Sequence, residues 1–180
     1  DLSFPLLAWH PSSKLIAYIT ETKGGLLLHF YTPEDGRTES RNLINFDKIL
    51  DFSYAPSGRS FVFSAVRKGQ SDLFLFDIAS NSFVNLTDDI YDDLHPRYFG
   101  DKKLLFSSNR LSDTIKKTDP LKIEALAARN DIFMLDISSA SKVLKRISHT
   151  PLHNETYPMS YGNGYISYLS DQNGIYNRYL

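Results

Sequence analysis

The sequence predicts an all-β chain built as a β-propeller of four-stranded antiparallel blades, and three observations carry that prediction. The stretch from Leu50 to Thr87 contains four apolar segments separated by three turn signals: Ala55-Pro56-Ser57-Gly58, Arg67-Lys68-Gly69-Gln70-Ser71 and Ala79-Ser80-Asn81-Ser82. Short β-branched, aromatic or leucine segments divided by Gly, Pro, Asn and Ser are strand and hairpin signals, so this stretch reads as one meander. Its pieces then recur: Pro11 and Pro56 head matching motifs 45 residues apart, and the matching aromatics Phe63, Phe106 and Tyr168 follow at spacings of 43 and 62. A period of roughly 40 to 45 residues with four strands per unit is that of a propeller blade. Aromatic residues make up 13% of the chain with a single Trp, an excess of Phe and Tyr that suits strands.

The first unit, residues 1–45, is expected to place strands at Leu6–Trp9, Leu15–Ile19, Leu26–Tyr31 and about Glu39–Leu43. Its turns are Lys23-Gly24-Gly25 and Pro33-Glu34-Asp35-Gly36. The nearly continuous apolar run at Leu26–Tyr31 predicts a strand covered on both faces. The second unit, residues 46–90, contains Phe52 and Tyr54, then Phe61-Val62-Phe63, Leu73-Phe74-Leu75-Phe76 and Phe83-Val84-Asn85-Leu86. The third, residues 91–150, carries Leu104-Leu105-Phe106 and Met134-Leu135-Asp136-Ile137, with an insertion across 111–129 between its second and third strands. Within that insertion Asp119-Pro120 offers a cap and a first-turn proline, which predicts a short helix through Leu121, Ile123 and Leu126 to Asn130. The fourth unit, residues 151–180, reaches only its third strand, Ile175–Leu180. Three blades and most of a fourth make the chain read as a piece of a larger propeller. Its open flat faces are expected to be covered by further sequence or by self-association.

The totals exclude several classes. A net charge of −1 gives no electrostatic footprint for nucleic acid. No apolar run approaches the roughly 20 residues of a membrane span. Absence of cysteine removes disulfides, thiol nucleophiles and thiolate metal sites. No secretory leader is read, and a chain beginning at Asp1 is compatible with one having been removed.

Two stretches have the composition of a site. Asp88-Asp89-Ile90-Tyr91-Asp92-Asp93-Leu94-His95 gathers four carboxylates and an imidazole, donors a hard cation would accept. The spacing matches no EF-hand loop, so a solvated turn and no metal is the expectation. His149-Thr150-Pro151-Leu152-His153, with Glu155, spaces two histidines as on a metal-binding helix, but Pro151 opposes a helix there and a loop is expected. Gly-x-Ser-x-Gly is absent and the glycine pairs are hairpin turns, so neither a serine nucleophile nor a phosphate loop is read, and no cofactor is expected. The sequons Asn85-Leu86-Thr87 and Asn154-Glu155-Thr156 are incidental on this reading.

The aromatic-x-Pro-x-Gly end of one strand, the Phe106-Ser107-Ser108-Asn109-Arg110 turn, the Asp72-Leu73-Phe74-Leu75-Phe76-Asp77 strand and the closing Asn85-Leu86-Thr87 together resemble the TolB-like β-propeller repeat. The resemblance spans nearly the whole chain. It implies the propeller fold and a bacterial periplasmic or envelope-associated protein that binds protein partners or envelope polymers without catalysis. In such folds the blade-to-blade links lie near one mouth of the central channel. The residues expected to recognise a partner are therefore Asp92, Asp93, His95, Arg97, Arg110, His153, Glu155 and Tyr157. The rival is the gating propeller of a serine peptidase resembling prolyl oligopeptidase or tricorn-type enzymes, whose catalytic domain is not in this chain. A glycan-processing propeller is a third reading. Fold alone does not choose among them.

Overall fold

A computed structural model describes residues 6–115, 129–138, 142–162 and 164–180. They form fifteen strands in four antiparallel sheets. The first sheet is β1 (Leu6–Trp9), β2 (Ile16–Thr22), β3 (Gly25–Thr32) and β4 (Arg37–Asn42). The second is β5 (Lys48–Tyr54), β6 (Ser60–Arg67), β7 (Gln70–Asp77) and β8 (Ser82–Asn85). The third is β9 (Asp93–Phe99), β10 (Lys103–Ser108), β11 (Asp131–Asp136) and β12 (Leu144–Arg146), and the fourth is β13 (Glu155–Tyr161), β14 (Tyr165–Ser170) and β15 (Asn177–Tyr179). Each sheet is a meander in chain order, with consecutive strands paired as nearest neighbours. The first strands of successive sheets lie side by side, β1 by β5, β5 by β9 and β9 by β13, so the sheets fan from a common inner edge.

Pleating explains the stacking. Side chains alternate between faces along a strand. On β6, Phe61, Phe63 and Ala65 therefore join Ala17, Ile19, Leu26 and Leu28 of the first sheet in one core. Val62, one residue out of phase, joins Leu104, Phe106, Phe133 and Leu135 of the third sheet in another. The second sheet is buried on both faces because it has a neighbour on each side. Edge-to-face rings dominate the first core, with Phe46 on Phe63 at 5.7 Å and Phe52 on Phe61 at 5.3 Å between ring centroids.

The repeat is exact in register. Tyr18 pairs with His29, Phe63 with Phe74, Phe106 with Phe133, and Tyr168 with Tyr179. The turn at Gly58 has no room for a side chain: φ is +71°, and a Cβ there would meet the His10 ring at 2.1 Å.

Several expectations change. On β3 only Leu26 and Leu28 are buried, not both faces of the strand. The other face of the first sheet, including Leu7 and Trp9, is open, because no further described sheet packs on it. On the fourth sheet Tyr161 and Tyr165 are likewise exposed. The last strand is Asn177–Tyr179 rather than Ile175–Leu180. The chain between β10 and β11 is the long excursion that was expected, while the helix read from Asp119-Pro120 lies outside the described residues. Among the described residues there is no helix, and none long and apolar enough to cross a membrane.

Candidate functional site

The links after β8 and β12 occupy equivalent places, and the first is built around a buried cation. Arg110 follows β10 by two residues and is only 1% exposed. Its Nη2 donates to both Asp93 oxygens, at 2.6 and 2.8 Å, its Nη1 to Asp89 at 3.0 Å, and its Nε to Ser108 Oγ at 3.1 Å. Tyr91, Phe106 and Phe133 present ring faces at 5.2, 5.6 and 5.7 Å from the guanidinium carbon. A third carboxylate, Asp72, sits beside the pair. It accepts from Asn85 Nδ2 at 2.9 Å, Thr87 Oγ1 at 3.2 Å and the Asp89 amide at 3.3 Å.

Asp72, Asp89 and Asp93 place one oxygen each within 4.8 Å of one another, a spacing compatible with a metal. The guanidinium and the Asn85 and Thr87 donors already engage these oxygens, so the arrangement is an internal ion-pair network. Burial pushes the Asp89 carboxyl up to about 6, with the Arg110 charge opposing it and Asp93 adding to it. Burial also raises Asp93 and Asp72, against the pull of Arg110 on the first and of Asn85 on the second.

The turn expected to be solvated is therefore split. Asp88 and Asp92 are exposed, whereas Asp89 and Asp93 are interior. Solvation of all four would have left Arg110 without a counter-charge, and a buried guanidinium needs one. Asp93 and Arg110, expected to meet a partner, face each other instead. Glu155 is buried as well.

Of the remaining expected residues, His95, Arg97 and Tyr157 lie on the inner strands, and Asp92 and His153 lie in the links that lead into them. His95 and Tyr157 pack ring against ring, with centroids 3.8 Å apart and planes inclined by 32°, joining β9 to β13. Both have positive φ, at 54° and 50°, both precede a proline, and both sit where their strands slip register. Such bulges re-aim a side chain, here toward the neighbouring sheet. Burial lowers the His95 imidazole below its ordinary range, so it is a neutral ring near neutral pH. Its Nδ1 lies 3.2 Å from Ser107 Oγ. One step along, Arg97 Nη1 donates to Asp51 at 2.8 Å and to its own neighbour's carbonyl, Pro96 O, at 2.7 Å, while Ser53 Oγ donates to that same carbonyl at 3.1 Å. Asp92 accepts from Ser71 Oγ and from the Asn109 side chain. His153 lies 3.7 Å from Asp171.

Sequence reasoning did not single out Asp51, Asp72, Asp131, Arg146 or Asp171. Arg146 Nη1 donates to Asp131 at 2.6 Å and its Nε to Asp113 at 3.0 Å, tying β12 to the start of the excursion. The missed signal was the repeat itself, since Asp131 pairs with Ser108 as Asp72 pairs with Ala65. At the other end of the first two sheets a cleft of about 340 Å³ is lined by His10, Phe30, Arg41, Tyr54 and Ile78. The Tyr54 hydroxyl there is buried with no partner among the described residues, and burial pushes it far above its ordinary range.

The geometry defines a β-propeller segment. No family model matches the chain, and no curated protein matches it. Solved structures do. TolB from Acinetobacter baumannii is similar at 16% identity and a TM-score of 0.60, over 96% of this chain and 42% of that one. A protein identified as TolB from Agrobacterium tumefaciens is similar at 17% identity and a TM-score of 0.60, over 82% of this chain and 50% of that one. A puromycin hydrolase is similar at 13% identity and a TM-score of 0.61, over 93% of this chain and 25% of that one. The fold is thus that of a TolB-like propeller, of which this chain spans half the length or less.

Proposed function

We propose that this chain is a non-catalytic part of a TolB-like propeller that binds a protein partner through the inner-strand residues beside its blade links. The observation that carries the reading is the His95–Tyr157 ring contact flanked by the Arg97–Asp51 pair. It couples an aromatic platform to a charge pair on neighbouring sheets, and Tyr157 remains 47% exposed. Exposed aromatic and arginine groups on a rigid sheet lose little entropy when a partner docks, which is why they anchor interfaces. The TolB resemblance supports a bacterial periplasmic or envelope location, where an envelope polymer is the competing ligand.

A photo-reactive phenylalanine analogue at Tyr157 should trap a partner that the same residue at Val84, on the outer strand β8, does not. Tyr157→Ala should then weaken binding of that purified partner by about tenfold or more, as for an aromatic interface anchor. Equal trapping from both positions would defeat the reading.

The likeness to a puromycin hydrolase supports a second reading, in which the propeller screens substrates for a hydrolase domain of the same polypeptide. Labelling of the full gene product by a fluorophosphonate would favour it over the binding module.

A further inference from the structure

The links after β8 and β12 share one construction and differ in the side chains that fill it. Thr150 takes the place of Asp89, because its amide donates to Asp131 Oδ1 as the Asp89 amide does to Asp72. Glu155 takes the place of Asp93, because it pairs with Ser170 as Asp93 pairs with Ser108. Gln172 takes the place of Arg110, two residues beyond the paired serine, and it is exposed where Arg110 is buried. The aromatic walls persist, with the Tyr168–Tyr179 stack at 6.3 Å replacing Phe106–Phe133 at 5.9 Å.

Two acceptors are left over by that exchange. Glu155 is 1% exposed, and neither carboxylate oxygen has a hydrogen-bond partner among the described residues. The buried Thr150 hydroxyl has none either. These are the positions whose counterparts hold the Arg110 guanidinium. A buried carboxylate without a donor or counter-charge is costly, so the site is built to receive a cation. The other charges at this link are already engaged, with Arg146 on Asp131 and Arg129 on Asp171.

We infer that the junction between the third and fourth sheets is a binding socket for a guanidinium group, which Glu155 and Thr150 accept and Tyr168 and Tyr179 flank. The inference stands apart from the partner reading, which rests on other residues. The group arrives either as an arginine side chain of another polypeptide or as a small guanidinium compound.

The test titrates the full chain with methylguanidinium and, separately, with a Gly-Arg-Gly peptide, following the Glu155, Thr156 and Tyr168 amides by NMR. Saturable shifts are expected, weakened about tenfold or more by Glu155→Gln, the loss due when a charged hydrogen-bond acceptor is neutralised. Tighter binding of the peptide assigns the group to a polypeptide, and equal binding assigns it to a small compound; both uphold the socket. Gln172→Arg should fill the site from within, abolish both titrations and raise Tm by about 2–4 °C. Absence of saturable shifts, shifts unchanged in Glu155→Gln, a response to potassium or calcium instead of guanidinium, or a lower Tm for Gln172→Arg would each overturn the inference.

Discussion

The junction between the first and second sheets and the one between the second and third share a backbone and are filled by opposite means. At the first, Ile49 stands where the second has Asp93. Ile49 packs with Phe46, Phe52 and Phe63 in an apolar core, and the arginine at the Arg110 position, Arg67, lies instead over the Phe83 ring. At the second, the same place in the repeat holds Asp93, and Arg110 turns inward to meet it. The contrast teaches that the inner end of each sheet pair admits either a hydrophobic plug or a complete ion pair. What it does not tolerate cheaply is half of one. Replacing a buried pair by well-packed apolar residues is often neutral or favourable, whereas removing one partner leaves an uncompensated charge.

That comparison can be broken most severely at Arg110. Arg110→Gln gives the second junction the side chain found at the third, and it strands two buried carboxylates, so a loss of about 3–5 kcal/mol is expected in chemical denaturation. A loss below 1 kcal/mol would mean the pair contributes nothing beyond its burial. Phe63→Ala attacks the apolar junction instead. The ring is fully buried, and its removal should cost about 3–5 kcal/mol, at the lower end if Phe46 and Phe52 collapse into the space. A smaller but more diagnostic effect comes from pH. The Asp89 carboxyl, raised to about 6 in the folded protein, binds its proton more tightly folded than unfolded. Its contribution to stability is therefore complete below about pH 4 and is lost as pH rises through about 6, on the order of 2–3 kcal/mol in all. Denaturation midpoints across that window should show the decline in the native protein and lack most of it in Asp89→Asn; identical pH profiles would show that another group is responsible. The smallest change is predicted at the third junction. Glu155→Gln keeps the shape and removes a charge that has no partner among the described residues, so stability should stay within about 1 kcal/mol or rise. A large loss there would mean that Glu155 is already paired.

Much of the fold was readable before any coordinates. The spacing of Pro11 from Pro56, and of Phe63, Phe106 and Tyr168 from one another, located four equivalent strands, and the glycine, proline and asparagine clusters located the hairpins between them. Both signals are local, set by pleat alternation and by turn geometry, and neither depends on distant parts of the chain. The site was readable only as a neighbourhood. The acidic link and the Phe-Ser-Ser-Asn-Arg turn were visible, but nothing in their composition said that Asp93 and Arg110 would face each other across the interior. His95 and Tyr157, 62 residues apart in the chain, met only because both strands carry a bulge before a proline.

The sequence by itself determined the order of the strands and the hairpins that join them, because those follow from short-range alternation and turns repeated along the chain. Only the tertiary structure decided which charges are spent on one another and which are left unmatched. Two of the eight residues read as a binding surface proved to be an internal ion pair, and a third, Glu155, proved buried with no hydrogen-bond partner among the described residues. The physical reason is that desolvation and pairing depend on what the adjacent sheet places opposite a side chain, and that neighbour lies many residues away in sequence.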